Sequence, residues 1–317
     1  MEATVRVTAD PDISFVVPLY NAAPWVGQCV QSLLTQTATS LEVVCVDDGS
    51  TDDSLAIVER IRETDERVTI LRQPNAGQSV ARNRGLDASR GRYIAFVDSD
   101  DYWVSDVASE LVARADSGSL DVLLFDGMAT RDGDIDDALW SWYSTYYDRT
   151  SSYRRVRPGL RVAARMRRRG DYKPHVGLYL SNRAHLVHSG ARFIPGIVHQ
   201  DNPFTFDLLL SAERVAHTRT QVYARRLRPG STITALNTTR SVEGYLIAHA
   251  HMLGALEAVS SAVSRRDRRA LTDIVAHTFR GAERQLAKLG ADDRRRVIDT
   301  LRQRGVPFAD EADRRTR

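Results

Sequence analysis

The sequence predicts an α/β protein: a mainly parallel sheet flanked by helices, followed by a C-terminal region of helices only. Three observations carry that expectation. Short apolar runs alternate with segments whose apolar residues recur every three or four positions through the first hundred residues. The run 41–46 is continuously apolar after Glu42, as a parallel strand covered on both faces should be. Beyond Ser241 only helical spacing remains, at Leu246, Leu253 and Leu256, then Leu271, Ile274, Phe279 and Leu286, with Leu301 continuing it.

Residues 13–17 read as a strand stopped by Pro18, which cannot donate to a sheet ladder. Trp25, Cys29, Val30 and Leu33 form the single stripe of a helix lying on a sheet. The strand 41–46 runs into the polar loop 47–53, where Ser50 and Asp53 have capping-box spacing for a helix around Leu55, Val58 and Ile61. That leaves Asp47 and Asp48 without a structural role. A third strand, 68–71, leads through Gln73, Pro74 and Gly77 to a helix containing Val80, Arg82 and Leu86, broken by Gly91. The fourth strand, 93–97, ends abruptly in Asp98, Ser99, Asp100 and Asp101. Residues 120–125 read as another strand and 202–210 as a helix, with 310–317 a tail without order.

Composition sets the bounds. With 317 residues and 42% hydrophobic content, the chain can bury one large core or two unequal ones. No apolar run approaches the roughly 20 residues that span a bilayer, and residues 1–12 lack the apolar core of a signal peptide. We therefore expect a soluble cytoplasmic protein, with the inner face of the membrane as its one place of membrane contact. Cys29 and Cys45 have neither metal nor disulfide spacing and read as core. The net charge of +3, built almost wholly from Arg with Lys173 and Lys288 as the lysines, gives no case for nucleic-acid binding.

The acidic cluster calls for chemistry. Three carboxylates within four residues at the carboxyl end of a buried strand repel one another and lose hydration, so a cation or hydrogen-bond donors must compensate. Hard oxygen ligands suit Mg²⁺ or Mn²⁺. The alternative is a solvated Asp-rich turn. Ligands bind at strand carboxyl ends in open α/β sheets, which favours the first reading.

Four blocks, in order and spacing, carry a resemblance: Pro18-Leu19-Tyr20-Asn21, Val46 to Asp52, Asn75-Ala76-Gly77 to Asn83, and Asp98-Ser99-Asp100-Asp101. Together they resemble the family-2 inverting glycosyltransferases of GT-A fold, a Rossmann-like architecture. The match covers residues 13–103 and resumes at 197–204 and 223–232. The resemblance implies a nucleotide-sugar donor, most simply a UDP-sugar, and a Mn²⁺ or Mg²⁺ cofactor. It also implies a catalytic domain over 1–235, with an acceptor-side insertion at 131–172, and a helical region over 236–317. By the same resemblance Pro18, Tyr20, Asp48, Asn75 and Arg82 form the nucleobase side of the donor site, and Asn21, Gly77 and Ser99 also bind the donor. Asp98 holds the ribose or the metal, and Asp98 and Asp100 are the candidate metal ligands.

Transfer needs a base opposite the diphosphate, and within that resemblance Asp201 takes the part. Its carboxylate is ionised at neutral pH and stands where a helix starts; the plain alternative is a helix N-cap. Gln200 replaces the usual Glu beside it. His199 and Gln200 are candidates for the acceptor side, and Arg226, Arg228 and Ser231 for the diphosphate, because Arg forks suit phosphate oxygens. The insertion is rich in aromatics, among them Trp140, Tyr143 and Tyr146, which either stack on sugar rings, as the resemblance implies, or belong to an ordinary amphipathic insertion covering the sheet. Its arginines between Arg154 and Arg169 either receive an anionic acceptor or a membrane carrying one, or form a solvated helix face in a chain whose bases are nearly all Arg. The expected acceptor is a carbohydrate, a lipid-linked glycan or a natural product, and the C-terminal helices offer an oligomer surface. Three rivals stand beside this reading: a binding protein that has lost catalysis, with Gln200 as its support; a phosphatase-like enzyme, whose Asp-x-Asp-x-Thr pattern Tyr102 breaks; and a sugar nucleotidyltransferase, which should show a Gly-rich loop where Pro18-Leu19-Tyr20-Asn21 stand.

Overall fold

A computed structural model describes residues 10–37, 40–104, 106–230, 239–259 and 263–306. Ser231, the boundary near 235 and the tail 310–317 lie outside the described residues. One eight-stranded sheet runs in the order β3-β2-β1-β4-β7-β6-β8-β5. Its first part is parallel: β1 (Ile13–Leu19) lies between β2 (Leu41–Asp47) and β4 (Tyr93–Phe96), with β3 (Val68–Arg72) outside β2. The rest is mixed. β7 (Tyr179–Asn182) is antiparallel to β4 and β6 (Val122–Arg131), whereas β8 (Val215–Leu227) is parallel to β6 and antiparallel to β5 (Tyr102–Trp103).

Why the first strands are apolar throughout is visible in their alternation. Phe15 and Val17 enter the core under α1 (Ala23–Leu34) and α4 (Ala108–Ser117), while Val16 enters the opposite core. That second core also takes in α6 (Gly159–Arg169), α8 (Asp201–Ser211), α9 (Thr239–Val259) and α10 (Arg265–Leu286). Met252, Leu256, Leu271 and Ile274 therefore pack in one cluster with Phe96 and Phe204. The C-terminal helices share the core of the sheet, and α11 (Ala291–Gln303) closes a smaller cluster with α9.

Several local expectations are corrected. β1 does not stop at Pro18; it continues to Leu19, with Pro18 opposite Val46. Pairing with β4 ends at Val16, so the side that Pro18 leaves without a donor has no strand to serve. Nor do Ser50 and Asp53 form a capping box for α2 (Ser54–Thr64). Ser50 Oγ accepts from Asn21 N, and Asp52 accepts from both Ala23 N and Ser54 N at 3.0 Å. One loop thus fixes the starts of α1 and α2 together. β6 extends well past the expected 120–125 because β8 pairs along it through two bulges.

Glu42, the charge near the start of β2, is buried with partners. Ser14 Oγ donates to it at 2.6 Å, Arg90 N at 2.7 Å, and Ser14 Oγ accepts from Gly91 N at 2.7 Å. A Cβ on Gly91 would stand 2.4 Å from Ser14 N, a backbone atom with no room to yield. Gly91→Ala should therefore cost on the order of 1–3 kcal/mol by urea unfolding. Gly254→Ala in α9, where a Cβ meets nothing within 4 Å, should be neutral or stabilising by roughly 0.5–1 kcal/mol.

Candidate active site

The carboxyl ends of β1, β2 and β4 face the far end of β8 and the start of α8, and the expected residues converge there. Asp48, at the end of β2, is buried and fully used. Its carboxylate accepts from Gln73 Nε2, Ala76 N and Gly77 N, each at 2.8 Å, and so shapes the loop that carries Asn75. Gly77 takes φ 90°, a conformation only glycine adopts freely, and Gly49 at φ 75° lets this loop approach. Asn21 occupies the left-handed region at φ 46°, where Asn is tolerated, and its Oδ1 accepts from Thr51 N at 2.8 Å. Pro18 is buried, Asn75 is exposed, and Tyr20 is half exposed at the rim.

The acidic cluster is held by arginines. Arg82, buried on α3 (Gln78–Ala88), bonds Asp98 Oδ1, to which Gln78 also donates at 3.1 Å. Arg225 Nη1 donates at 2.7 Å both to Asp98 Oδ2 and to Asp101 Oδ2. Asp101 further accepts from Tyr223 Oη at 2.5 Å and from Arg226 N at 2.8 Å. Burial opposes ionisation of Asp98, but Arg82 and Arg225 outweigh it and hold the carboxyl well below its usual range. Asp101 goes the other way: burial, with Asp100 and Asp98 nearby, pushes it up to about 7 against the pull of Arg225. Arg225 itself is held protonated far above the ordinary guanidinium value by Asp101, Asp100 and Asp98, which override its burial. Ser99 is buried between these carboxylates in sequence.

Asp100 is the carboxylate left most open. Its Oδ2 accepts from Arg228 Nε at 2.9 Å, and its Oδ1 makes no hydrogen bond among the described residues. Arg228 lies 4.0 Å over the Trp25 ring, and Arg226 donates to the Asp100 carbonyl at 2.8 Å and to Gln28 at 2.6 Å. Asp98, Asp101 and His175 also offer ligand atoms within 4.8 Å of one another. Arg225 already bridges the two carboxylates of that group, and His175 Nδ1 accepts from Gly177 N at 3.1 Å. Burial pushes His175 down to about 3, so it is neutral.

Asp201 is the first residue of α8 and not its N-cap; Gln200 holds that position and makes no side-chain cap. The Asp201 carboxylate meets Asn202 Nδ2 at 3.4 Å, a weak contact that leaves its lone pairs available. Burial raises it to about 6, offset in part by Arg82 and aided by Asp98. Tyr143, Tyr146, Tyr172 and Tyr245 are lifted first by burial and further by the Asp201 charge, and the Tyr143 and Tyr146 rings pack edge to face at 5.6 Å. Gln200 touches Gln78 at 2.7 Å, the Ile197 carbonyl at 2.8 Å and Arg82 at 3.0 Å. His199 turns away, in the left-handed region at φ 62°, to stack on Tyr245 at 3.7 Å and to meet Ser241 Oγ at 2.9 Å.

A family model described as Glycosyl transferase family 2 matches residues 14–173, half of the chain. The chain belongs to that family. Among its curated relatives, the uncharacterized glycosyltransferase YibD of Escherichia coli K12 is 34% identical over 212 residues, 67% of this chain. EpsJ of Bacillus subtilis is 42% identical over 36% of the chain, and GlyA of Streptococcus pneumoniae 31% over 70%. The chain spans 60%, 33% and 31% of the lengths of these three relatives. The family fold is found again in Staphylococcus aureus TarS 1–349 in complex with UDP-GlcNAc, at TM-score 0.72 and 21% identity, covering 95% of this chain and 88% of that one. The mannosyltransferase PcManGT of Pyrobaculum calidifontis, in complex with GDP-Man and Mn²⁺, gives 0.53 and 15% over 96% and 83%.

Sequence reasoning missed Gln78, His175 and Tyr223 and passed over Arg225 in favour of its neighbours. Period two along β8 carries the signal, since Tyr223 and Arg225 must share a face. His175 follows the insertion, where no pattern could place it. Because Asp48 holds the Gln73–Gly77 loop by hydrogen bonds alone, Asp48→Ala should raise hydrogen exchange at the Ala76 and Gly77 amides by about tenfold or more while the α8 amides stay protected.

Proposed function

We propose that this family-2 chain is an inverting transferase that moves a hexosyl or N-acetylhexosaminyl group from a UDP-sugar to an acceptor hydroxyl, with Asp201 as base. The observation that carries the reading is a weakly bonded Asp201 carboxylate, raised to about 6, across from Asp98 with its two arginines. A carboxylate with that value is ionised at neutral pH yet a better proton acceptor than an exposed one. The acceptor oxygen attacks the anomeric carbon as Asp201 takes its proton, and the bond to the β-phosphate oxygen breaks with its electron pair leaving on UDP. Inversion follows from the single displacement. Support for a UDP donor comes from a fold shared with a protein crystallised with UDP-GlcNAc. The Tyr20 rim and the Asp48-held loop supply the nucleobase side, with Arg82 shared between that pocket and Asp98.

The donor set fits a divalent cation at Asp100, whose Oδ1 is open, with Asp98 beside it. Mn²⁺ or Mg²⁺ bound there would neutralise charge on the departing diphosphate. Arg228 and Arg226 stand next to that carboxylate and can turn their forks to phosphate oxygens. The Tyr143–Tyr146 pair and Tyr245, stacked on His199, offer rings that suit a sugar of a glycan, an envelope polymer, a lipid-linked or a natural-product acceptor. Among the described residues no helix is long and apolar enough to cross a membrane, so contact with a lipid-linked acceptor would be peripheral. Self-association through the C-terminal helices belongs to the same proposal.

Asp201→Asn keeps size and removes the charge. Turnover should fall by about 10² or more with donor affinity within a few-fold, and turnover within a few-fold of the parent would remove the base. In the parent, turnover should decline as pH falls through about 6. Stability runs oppositely: burial favours the neutral acid, so the Asp201 contribution is present below its unfolded value of 3.8 and lost as pH rises through about 6. The Asn variant should therefore unfold no earlier than the parent at neutral pH. Asp100→Ala should abolish divalent-dependent turnover; full activity of that variant in chelator would remove the metal assignment.

A further inference from the structure

The arginines of the insertion divide into two sets. Arg167 and Arg168, at the end of α6, pair with Asp273 and Asp267 of α10 at 2.7 and 2.9 Å and fasten the C-terminal helices to the sheet. The others lie elsewhere. The segment before α6 runs along the start of β8: Arg157 N donates to the Val215 carbonyl at 3.0 Å, Val215 N returns to Arg157 at 2.9 Å, and His217 N donates to the Tyr153 carbonyl at 3.0 Å. Pro158 then turns the chain into α6, where Arg161 and Arg165 share a face one turn apart. Segment and helix enclose a cleft of about 330 Å³ lined by Tyr153 and five arginines, Arg154, Arg155, Arg157, Arg161 and Arg165.

None of these five forms a salt bridge among the described residues, and Arg157 Nε is buried without a hydrogen-bond partner. Arg165 lies over the Tyr153 ring at 5.7 Å, and Arg114 donates to the Arg154 carbonyl at 2.9 Å, so a sixth cation approaches from α4. Like charges held together by a backbone bridge and a helix repel, and an anion lying among them relieves that repulsion. The cleft is remote from the reaction. Val215 and Arg225 are ten positions apart on β8, roughly 30 Å along an extended strand, so Arg157 and Asp98 sit at opposite ends of the sheet.

We propose that this cleft is a second anion site, which takes a ligand bearing two or more linked phosphate groups. Guanidinium forks match phosphate oxygens in pairs, and five of them carry more charge than one orthophosphate offers. The volume, about ten times the share of one water in the liquid, also exceeds a single phosphate. A walled cleft receives a discrete group between strand and helix, whereas a bilayer presents a face. The site is separate from sugar transfer and stands whether or not that reading holds.

Titration calorimetry with tripolyphosphate in metal-free buffer tests it on three proteins: the parent, the double variant Arg161→Gln/Arg165→Gln, and Arg228→Gln. We expect binding to the parent, about tenfold or more weaker in the double variant, nearly unchanged in Arg228→Gln, and weakened by added salt. The two α6 side chains are exposed or half-buried, so the double variant should keep the parent's melting temperature. Equal affinity in the double variant would overturn the site, as would loss of binding in Arg228→Gln. Binding of phosphatidylglycerol vesicles without any binding of tripolyphosphate would replace it with a membrane surface.

Discussion

The site is organised by a single guanidinium. Arg225 places one nitrogen against both Asp98 and Asp101, two carboxylates that the strand end has carried out of water. Without it, like charges would face each other in a low dielectric, the arrangement that folding avoids most strongly. Arg82 and Arg225 hold Asp98 ionised, while burial and the neighbouring Asp100 and Asp98 lift Asp101 to about 7 against the pull of Arg225. Asp101 is then free to act structurally, fastening Tyr223 and the Arg226 backbone of β8 to the end of β4. The two halves of the sheet join where β7 pairs with β4, and this knot adds a second tie between them.

Around the knot, each loop at the strand ends is fixed by a polar side chain that accepts backbone N–H groups. Asp48 holds the β3–α3 loop, Asn21 holds Thr51, and Asp52 holds the starts of α1 and α2. These bonds order the loops at the strand ends before any ligand arrives, so a ligand bound there would spend little of its binding energy on ordering them. Asp201 is built the opposite way, with one weak contact and a proton affinity set by burial.

Much of the architecture was legible because it rests on local pattern. The parallel strands declared themselves by apolar continuity, and the four polar blocks fell at strand ends as expected. Asp98 and Asp100 stand at the end of β4, and Asp201 faces them. What the sequence hid was long-range: Arg225 and Tyr223 reach Asp101 across more than a hundred residues, which no local spacing encodes. The capping box failed for a related reason, since Ser50 had a distant partner in Asn21 that outcompeted the local one. The arginines of the insertion looked uniform in sequence and separate only once α10 claims two of them. His199 was read beside the acceptor but is held by Tyr245 and Ser241, which ties the C-terminal helices to the loop before Asp201.

If Arg225 is what makes the acidic strand end tolerable, its worth should depend on the charge it neutralises. A double-mutant cycle of Arg225→Met and Asp98→Asn, read as unfolding free energy at neutral pH, measures that dependence directly. We expect Arg225→Met alone to cost about 3–5 kcal/mol, as breaking a buried pair does, and the added Asp98→Asn to recover a substantial part. Additive effects, or an Arg225→Met protein as stable as the parent, would contradict it.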